Sequence, residues 1–428
     1  MSGEPGARMH ALMSELFPIC RSITGDGVRE SLGLIGQRIP LDLHEIPTGT
    51  RVLDWTVPDE WNVRDAYIRR DGRRVVDFTS SNLHLVSYSE PVAATMSLAE
   101  LRPRLHVHPE RPDWIPYRTS YYTRSWGFCL SRNELDALED GEYEVVVDSS
   151  LEPGSLTYGE SVVVGERPEE VLLTTHVCHP SLANDNLSGM ALLTELGSAL
   201  AASRRRFTYR LLFIPGTIGS ITWLARNEGR LDRIVAGLVL ACAGDPAGLC
   251  YKRSRRGDAP IDRAAEYVLS RHDGARVSDF VPWGWDERQF NSPGFDLPVG
   301  CLSRSREGEF EQYHSSADDL DLVRPDQLED ALGTVLDVLD VLEADRRYVN
   351  LAPKGEPQLG KRNLYPATGG AAAEDEQLAM LWVLNQSDGS HSLLEVAERS
   401  GLALATLRAS AERLAEAGLL VDAEVSLR

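Results

Sequence analysis

Residues 175–189 of this 428-residue chain read THVCHPSLANDNLSG. They follow an apolar run of strand length, Glu170 to Thr174, and they precede a stretch whose leucines recur at helical spacing. The pattern predicts a strand, a loop and a helix in succession. In an open α/β sheet such loops lie at the carboxyl ends of the strands, where ligands bind. The loop carries two histidines and one aspartate, which makes it a candidate metal site.

Two interpretations of this loop are possible. The polar residues from Asn184 to Ser188 all suit the start of a helix, so they could serve only as a helix cap. A cap needs only one of them, however, and leaves His176 and His179 unexplained. The sequence therefore favours a metal site over a simple cap.

The composition and net charge narrow the classes of protein to which this chain can belong. The chain is 42% hydrophobic and 25% charged, which is ordinary for a globular protein with two or three domains. A net charge of -21 repels nucleic acids and anionic membranes, so nucleic acid is an unlikely partner. The chain begins without an apolar signal segment, and no run approaches the roughly 20 apolar residues of a membrane span. We expect a cytoplasmic protein whose six scattered cysteines are reduced thiols.

Changes in residue pattern along the sequence predict five segments of the chain. Short extended pieces rich in Trp, Tyr, Val and Pro indicate a small β module, whereas continuous apolar runs farther on indicate strands covered on both faces. The predicted parts are an N-terminal piece of the main domain (1–45), an inserted β domain (46–135), the metal-binding core (136–350), a linker (351–373) and a winged-helix-like domain (374–428).

The core is predicted to be an α/β domain with a mixed, mostly parallel sheet sandwiched by helices. Its strands are expected at Tyr143 to Asp148, Ser161 to Gly165, Val171 to Thr175, Tyr209 to Pro215, Ala236 to Ala243 and Leu297 to Leu302.

The tail shows a helix-turn-helix rhythm. From Glu374 to Arg428 it holds ten acidic and four basic residues, a net charge of -6, whereas a DNA-reading winged helix is normally basic. We expect a docking or dimerisation role for the tail, with a homo-oligomer possible.

Two later clusters of residues, together with the loop at residues 175–189, complete a set of candidate metal ligands and catalytic groups. One contains Asp286 and Glu287, and the other contains His314 after the last predicted core strand. A zinc hydrolase needs about three protein ligands, an open position for water and a carboxylate nearby that takes the proton of the water. His176, Asp185 and His314 supply such a set. Each of these residues would be unremarkable alone, so the prediction rests on the three clusters together.

These motifs resemble a known family. Four motifs carry the resemblance. They are His176, Asn184-Asp185-Asn186-x-Ser188-Gly189, the Asp-containing loop before Gly294-Phe295-Asp296-Leu297-Pro298, and Tyr313-His314-Ser315-Ser316-x-Asp318. Together they are similar to the motifs of zinc-dependent exopeptidases, the leucyl-type aminopeptidases and glutaminyl cyclases. Nearly the whole chain resembles the aminopeptidase-like proteins with an inserted β domain and a winged-helix tail. The resemblance implies that His176 and His314 are the first and last metal ligands. It implies that Asp185 is the carboxylate that bridges two metals in two-zinc members.

The chain departs from the family in two places. Where aminopeptidases have two adjacent Glu, a general base and then a ligand, this chain has Pro215-Gly216-Thr217, and the closer relatives keep one Glu where Gly216 stands. The Asp expected after the next strand is also missing, unless Asp245 fills its role. We therefore expect one zinc ion rather than two. A missing general base costs about 10²- to 10⁴-fold in rate, so another carboxylate must substitute, with Glu287 as candidate beside Asp286.

The expected function is zinc-dependent hydrolysis of an amide or peptide bond in a small amino-acid-like or peptide substrate. The alternative is an altered member that acts as a non-hydrolytic acyl-transfer or cyclising enzyme, or as a binding protein. We expect Tyr121, Tyr122, Arg288 and Tyr313 to bind the substrate, although the two insert tyrosines could instead belong to the core of the module. His179 is expected to support a ligand from behind. The neighbouring Cys178 could be a thiolate ligand or a buried thiol.

Overall fold

The computed structural model describes residues 4–364 and 371–423, in two compact units, Met1–Val335 and Leu336–Arg428. The helices of the described residues are α1 (Pro5–Leu16), α2 (Asp26–Gly36), α3 (Leu98–Leu101), α4 (Arg132–Asp136), α5 (Gly189–Ala201), α6 (Ile218–Asn227), α7 (Pro260–Leu269), α8 (Glu287–Phe290), α9 (Pro325–Ala344), α10 (Ala371–Gln386), α11 (Leu393–Ser400) and α12 (Leu404–Glu416).

The strands of the first unit are β1 (Asp42–Pro47), β2 (Arg51–Val52), β3 (Trp55–Thr56), β4 (Glu60–Arg70), β5 (Arg73–Asp77), β6 (Val92–Ser97), β7 (Leu105–His106), β8 (Phe128–Cys129), β9 (Glu142–Glu152), β10 (Ser155–Val163), β11 (Glu170–His176), β12 (Thr208–Ile214), β13 (Ile234–Leu240), β14 (Cys250–Lys252), β15 (Arg276–Ser278) and β16 (Val299–Ser303). Those of the second unit are β17 (Arg347–Asn350), β18 (Asp388–Ser392) and β19 (Leu420–Asp422).

An eight-stranded mixed sheet with the order β1-β10-β12-β11-β13-β16-β14-β15 forms the core of the first unit. The four adjacent strands β12, β11, β13 and β16 run parallel, and antiparallel pairs flank them on both sides. Every residue of β11 and of β12 is buried, as their continuous apolar sequences require. The predicted mixed α/β fold is confirmed.

The inserted module has a four-stranded antiparallel sheet with the order β5-β4-β9-β6. Its strand β9 covers residues that the sequence pattern assigned to the core. The reason is visible in the burial of β9, where Tyr143, Val145 and Val147 are buried and the residues between them are more exposed. This alternation is typical of a half-buried antiparallel strand, so the sheet of the module extends past the expected boundary at residue 135.

The second unit contains α10, α11 and α12 with a three-stranded antiparallel sheet of order β18-β17-β19. Its central strand, β17, precedes the predicted linker and comes from residues that the sequence pattern assigned to the core. The turn-rich sequence after β17 concealed a pairing with strands about forty and seventy residues later. Of the predicted linker, residues 365–370 lie outside the described residues, and α10 already begins at Ala371.

Across residues 4–364 and 371–423, none of the helices is both long enough and apolar enough to cross a bilayer.

The start of α5 lies very close to the sheet. A methyl group at Gly189 would lie 2.6 Å from Thr175 Oγ1 and 2.7 Å from the carbonyl oxygen of Leu240, so only glycine fits. We expect Gly189→Ala to reduce the free energy of unfolding by about 1–3 kcal/mol, the usual effect of overpacking. Chemical denaturation of the full chain measures the change.

Gly333 is the matched control because it lies in α9, where an added methyl group meets nothing within 4 Å. Gly333→Ala should stabilise the protein by about 0.5–1 kcal/mol, because alanine has the higher helix propensity. Equal effects of the two substitutions would contradict the close approach at Gly189.

Candidate metal centre

The end of β11 and two loops at the carboxyl end of the parallel strands bring together His176, Asp185 and His314. His176 is the last residue of β11, Asp185 lies in the loop before α5, and His314 lies between β16 and α9. One carboxylate oxygen of Asp185 is 2.9 Å from His176 Nε2, and the other is 3.0 Å from His314 Nε2. Asp185 is fully buried and His176 is 3% exposed. The three predicted ligands therefore form one contiguous cluster.

The histidines determine the charge of this cluster. Burial alone would raise the pKa of Asp185, but His179, His176 and His314 together hold that pKa well below its usual range. Burial also lowers the pKa of His179 to about 3, which keeps its ring neutral. An ionised carboxylate and neutral imidazoles are the protonation states that metal ligands require.

His179 lies closer to the cluster than a purely supporting role requires. Its Nε2 is 4.0 Å from Asp185, and its Nδ1 lies 3.3 Å from the sulfur of Cys178. The ligand atoms of His176, His179 and Asp185 all lie within 4.8 Å of one another. His179 could thus be a ligand itself. Burial raises the pKa of the Cys178 thiol to about 12, so the cysteine is protonated, as expected for a buried thiol.

The loop that carries Asp185 is held by a second aspartate. Asp318 accepts hydrogen bonds from the backbone N–H of Asn184 at 2.6 Å and of Asp185 at 2.9 Å. The side chain of Asn184 donates to Asp245, which also accepts from the hydroxyl of Ser305. Asp245 therefore ties loops together and does not line the cavity beside the cluster. The sequence placed Asp318 in a motif but predicted no role for it.

Gly216 lines the cavity beside the cluster and lies close to His176. A Cβ atom there would lie 3.3 Å from Cβ of His176 and 3.6 Å from Oδ2 of Asp286. Asp286 is buried, and its other oxygen accepts a hydrogen bond from Ser220 at 2.9 Å. Burial raises the pKa of Asp286 to about 6.

The neighbouring Glu287 has a different environment. Its carboxylate forms a buried ion pair with Lys252, whose ammonium group also donates to the carbonyl oxygen of Trp283 at 2.6 Å. Glu287 is absent from the wall of the cavity that Asp286 lines. Of the two predicted catalytic carboxylates, Asp286 is thus the one that a ligand in the cavity can reach.

A cavity of about 240 Å³ opens beside the cluster. All four residues that were expected to bind substrate, Tyr121, Tyr122, Arg288 and Tyr313, line it. Tyr313 stacks on His314 with ring centres 3.9 Å apart. Tyr122 is 50% exposed, whereas Tyr121 bonds through its hydroxyl group to Tyr117 and packs against the core.

Several residues of this region were not predicted from the sequence. Glu307 and Trp55 line the cavity, and the backbone N–H of Tyr117 donates to the carbonyl oxygen of His314 at 2.8 Å. Only Glu307 carried a usable signal, because it lies seven residues before His314 on the same loop. The other two come from the inserted module, whose contact with the ligand loop no local pattern reveals.

Comparison with known proteins agrees with this architecture. A family model described as a domain of unknown function, DUF4910, matches residues 10–345, and a winged helix-turn-helix model matches residues 346–422. The chain is 53% identical over 423 residues to a Clostridium acetobutylicum protein named "Putative polysaccharide biosynthesis protein with aminopeptidase-like domain", covering 98% of this chain and 97% of that one.

Two solved structures extend the comparison. A "putative peptidase" from Clostridium acetobutylicum is 52% identical and has a TM-score of 0.91, covering 97% of this chain and 96% of the other. A zinc aminopeptidase from Bacillus subtilis has a TM-score of 0.58 at 12% identity, covering 78% of this chain and 94% of the other, a likeness of fold alone. The predicted resemblance to the aminopeptidase-like fold with a winged-helix tail is confirmed. Because the first family model matches most of the chain, this protein belongs to the DUF4910 family.

Proposed function

We propose that this protein is a zinc-dependent hydrolase that cleaves an amide or peptide bond in a small amino-acid-like or peptide substrate. The observation that carries the proposal is the buried Asp185, with one carboxylate oxygen facing His176 and the other facing His314. Two imidazoles and a carboxylate are the donor set that zinc prefers in catalytic sites. The aminopeptidase-like fold supports the same reaction class.

The donor set supports one zinc ion rather than two. His176, Asp185 and His314 would hold the ion through two ring nitrogens and a carboxylate oxygen, with His179 close enough to contribute. A second ion would need further donors, but Gly216 has no side chain and Asp245 is already bonded to Asn184 and Ser305. When bound, zinc supplies a Lewis acid that polarises a carbonyl group and acidifies water.

The residues of the cavity have separate roles in this proposal. Asp286 accepts the proton of the attacking water, because a buried carboxylate with a pKa of about 6 is well matched to neutral pH. Arg288 orients an anionic or carbonyl group of the substrate, and Tyr122 and Tyr313 supply aromatic surface. The name of the Clostridium acetobutylicum relative adds polysaccharide biosynthesis as a context, so amides of amino sugars belong in any substrate screen.

A second candidate function rests on Gly216. Without the Glu that the resemblance predicts there, the protein could bind its ligand without hydrolysis or catalyse an acyl transfer or a cyclisation. We propose that the acidic tail serves docking or dimerisation rather than DNA binding, and that the protein is cytoplasmic.

Zinc content is the first test. We expect about one zinc ion per chain in the wild-type protein and loss of most of it in His176→Ala, because a buried ligand is removed. Metal analysis of the purified full chain gives the result. His391→Ala is the control, since His391 lies in the winged-helix unit, and it should keep its zinc. A wild-type protein without zinc, or a His176→Ala variant that retains it, would contradict the proposed site.

Introducing a carboxylate at position 216 tests whether the active site still has the geometry for amide hydrolysis. We expect Gly216→Glu to raise amide turnover by about 10-fold or more, within the range that a general base contributes. Gly216→Gln is the matched control, because it has the same shape without a basic oxygen, and it should not raise the rate. Zinc-loaded wild type and both variants are compared on amino-acid anilides and N-acyl amino sugars. No gain in Gly216→Glu with zinc bound would favour the binding or acyl-transfer alternative.

The two insert tyrosines should respond differently to truncation. Tyr122 is half exposed at the cavity, so Tyr122→Ala should raise KM while the melting temperature stays within about 2 °C of wild type. Tyr121 bonds to Tyr117 and packs in the core, so Tyr121→Ala should also lower the melting temperature. Steady-state kinetics and thermal unfolding measure the two effects. A large loss of stability in Tyr122→Ala with unchanged KM would refute its role in binding.

A further inference from the structure

A second cavity adjoins the metal cavity. It has a volume of about 170 Å³ and is lined by apolar side chains such as Val281 and Trp283. Gly284, Trp285 and Glu307 line both cavities, so these three residues form the partition between them. A ligand that occupied both cavities would pass this partition.

The partition and its neighbour Arg288 hold polar atoms without a hydrogen-bond partner among the described residues. Nε1 of Trp285 and Oε2 of Glu307 lie in the partition, Nε of Arg288 lies beside it, and all three are buried. Buried polar groups are nearly always hydrogen-bonded, so these atoms are available to a ligand or to water in the cavity. Burial raises the pKa of Glu307, which the guanidinium of Arg288 opposes.

The other carboxylates that line the metal cavity among the described residues have defined partners. Both oxygens of Asp185 face histidines, and one oxygen of Asp286 is held by Ser220. Asp286 adjoins Gly216 and His176, on the side of the proposed metal, whereas Glu307 adjoins the second cavity. The two carboxylates therefore face different parts of a bound substrate.

Amide hydrolysis needs two proton transfers. A base removes a proton from the attacking water, and an acid gives a proton to the nitrogen that leaves. The family resemblance places a general-base Glu where this chain has Gly216. Without that Glu, both transfers need other groups of the cavity, whose remaining carboxylates are Asp286 and Glu307 besides the proposed ligand Asp185.

We propose that Glu307 is the general acid of the reaction and protonates the leaving nitrogen. This assignment rests on the proposed function. The proton of the Glu307 carboxyl group passes to the nitrogen as the C–N bond breaks, while Asp286 holds the proton that water loses as its oxygen bonds to the carbonyl carbon. Release of the amine leaves Glu307 ionised and Asp286 protonated, and exchange with solvent restores both groups.

The test is the dependence of the rate on the leaving group. Zinc-loaded full-length wild type and Glu307→Gln are compared on one acyl group, the one the wild type hydrolyses best, joined to a series from 4-nitroaniline to simple alkylamines. Poor leaving groups need protonation most, so kcat of Glu307→Gln should fall about 10²- to 10⁴-fold on alkylamides. The loss on the 4-nitroanilide should be less than about 10-fold. KM and zinc content should change little.

Glu311→Gln is the matched control. Glu311 lies four residues away, forms an ion pair with Arg111 and lines neither cavity. Its leaving-group dependence should equal that of the wild type. Glu307→Asp keeps a carboxyl group on a side chain one methylene shorter, so its rate on alkylamides should lie between those of Glu307→Gln and the wild type. If Glu307→Gln folds poorly, the rates of Glu307→Asp test the proposal instead.

Three outcomes would overturn the proposal. An equal loss on every leaving group would assign Glu307 to the attack of water or to structure, and an unchanged alkylamide rate would remove it from the reaction. In both cases the wild type is active and the proposed function stands. A wild-type protein that binds zinc but hydrolyses no member of the series contradicts the proposed function and, with it, the role of Glu307.

Discussion

The site depends on a fully buried carboxylate, Asp185, that must remain ionised between two imidazoles. Removing such a charge from water is costly unless it is paired and hydrogen-bonded, and here each oxygen has one histidine as its partner. The backbone of Asn184 and of Asp185 itself is fixed by Asp318, which accepts hydrogen bonds from both N–H groups. An arrangement of this kind concentrates negative charge at one point, where a metal ion would replace the protons that the two Nε2 atoms donate to Asp185. Such a point suits a divalent cation.

Fixing Asp185 also constrains the loops that contribute the two histidines. His176 is held because β11 is buried on both faces, so its last residue cannot shift without moving the sheet. His314 lies on a loop between β16 and α9, so no strand of the sheet fixes its position. That loop is secured from outside the core: residues 115–117 of the inserted module exchange backbone hydrogen bonds with His314 and Ser316 at 2.8 Å each. The module is therefore part of the structure that orients the site.

Sequence patterns predicted the features that local physics determines. Continuous apolar runs identified β11, β12 and β13, and the rule that parallel strands end at one edge brought His176, Asp185 and His314 together. Prediction failed where the partner is distant, as for β9 and β17, whose sheets are decided by pairing. It could not separate Asp286 from Glu287, because adjacent residues at the start of a short helix face different surroundings. Glu307 was missed because its significance comes from two cavities that exist only in the folded chain.

One group of buried hydrogen bonds connects three segments that are far apart in sequence. Arg21 is fully buried and donates to the carbonyl oxygen of His179, while Ser22 bonds to Ser87 and Thr24 bonds to Tyr88. The segment from Arg21 to Thr24 thus joins the loop that carries His179 to the inserted module. A buried guanidinium is costly, and burial lowers the pKa of Arg21 to about 10. Its hydrogen bond to the carbonyl oxygen of His179 offsets part of that cost and holds the N-terminal segment against the loop of the histidine cluster.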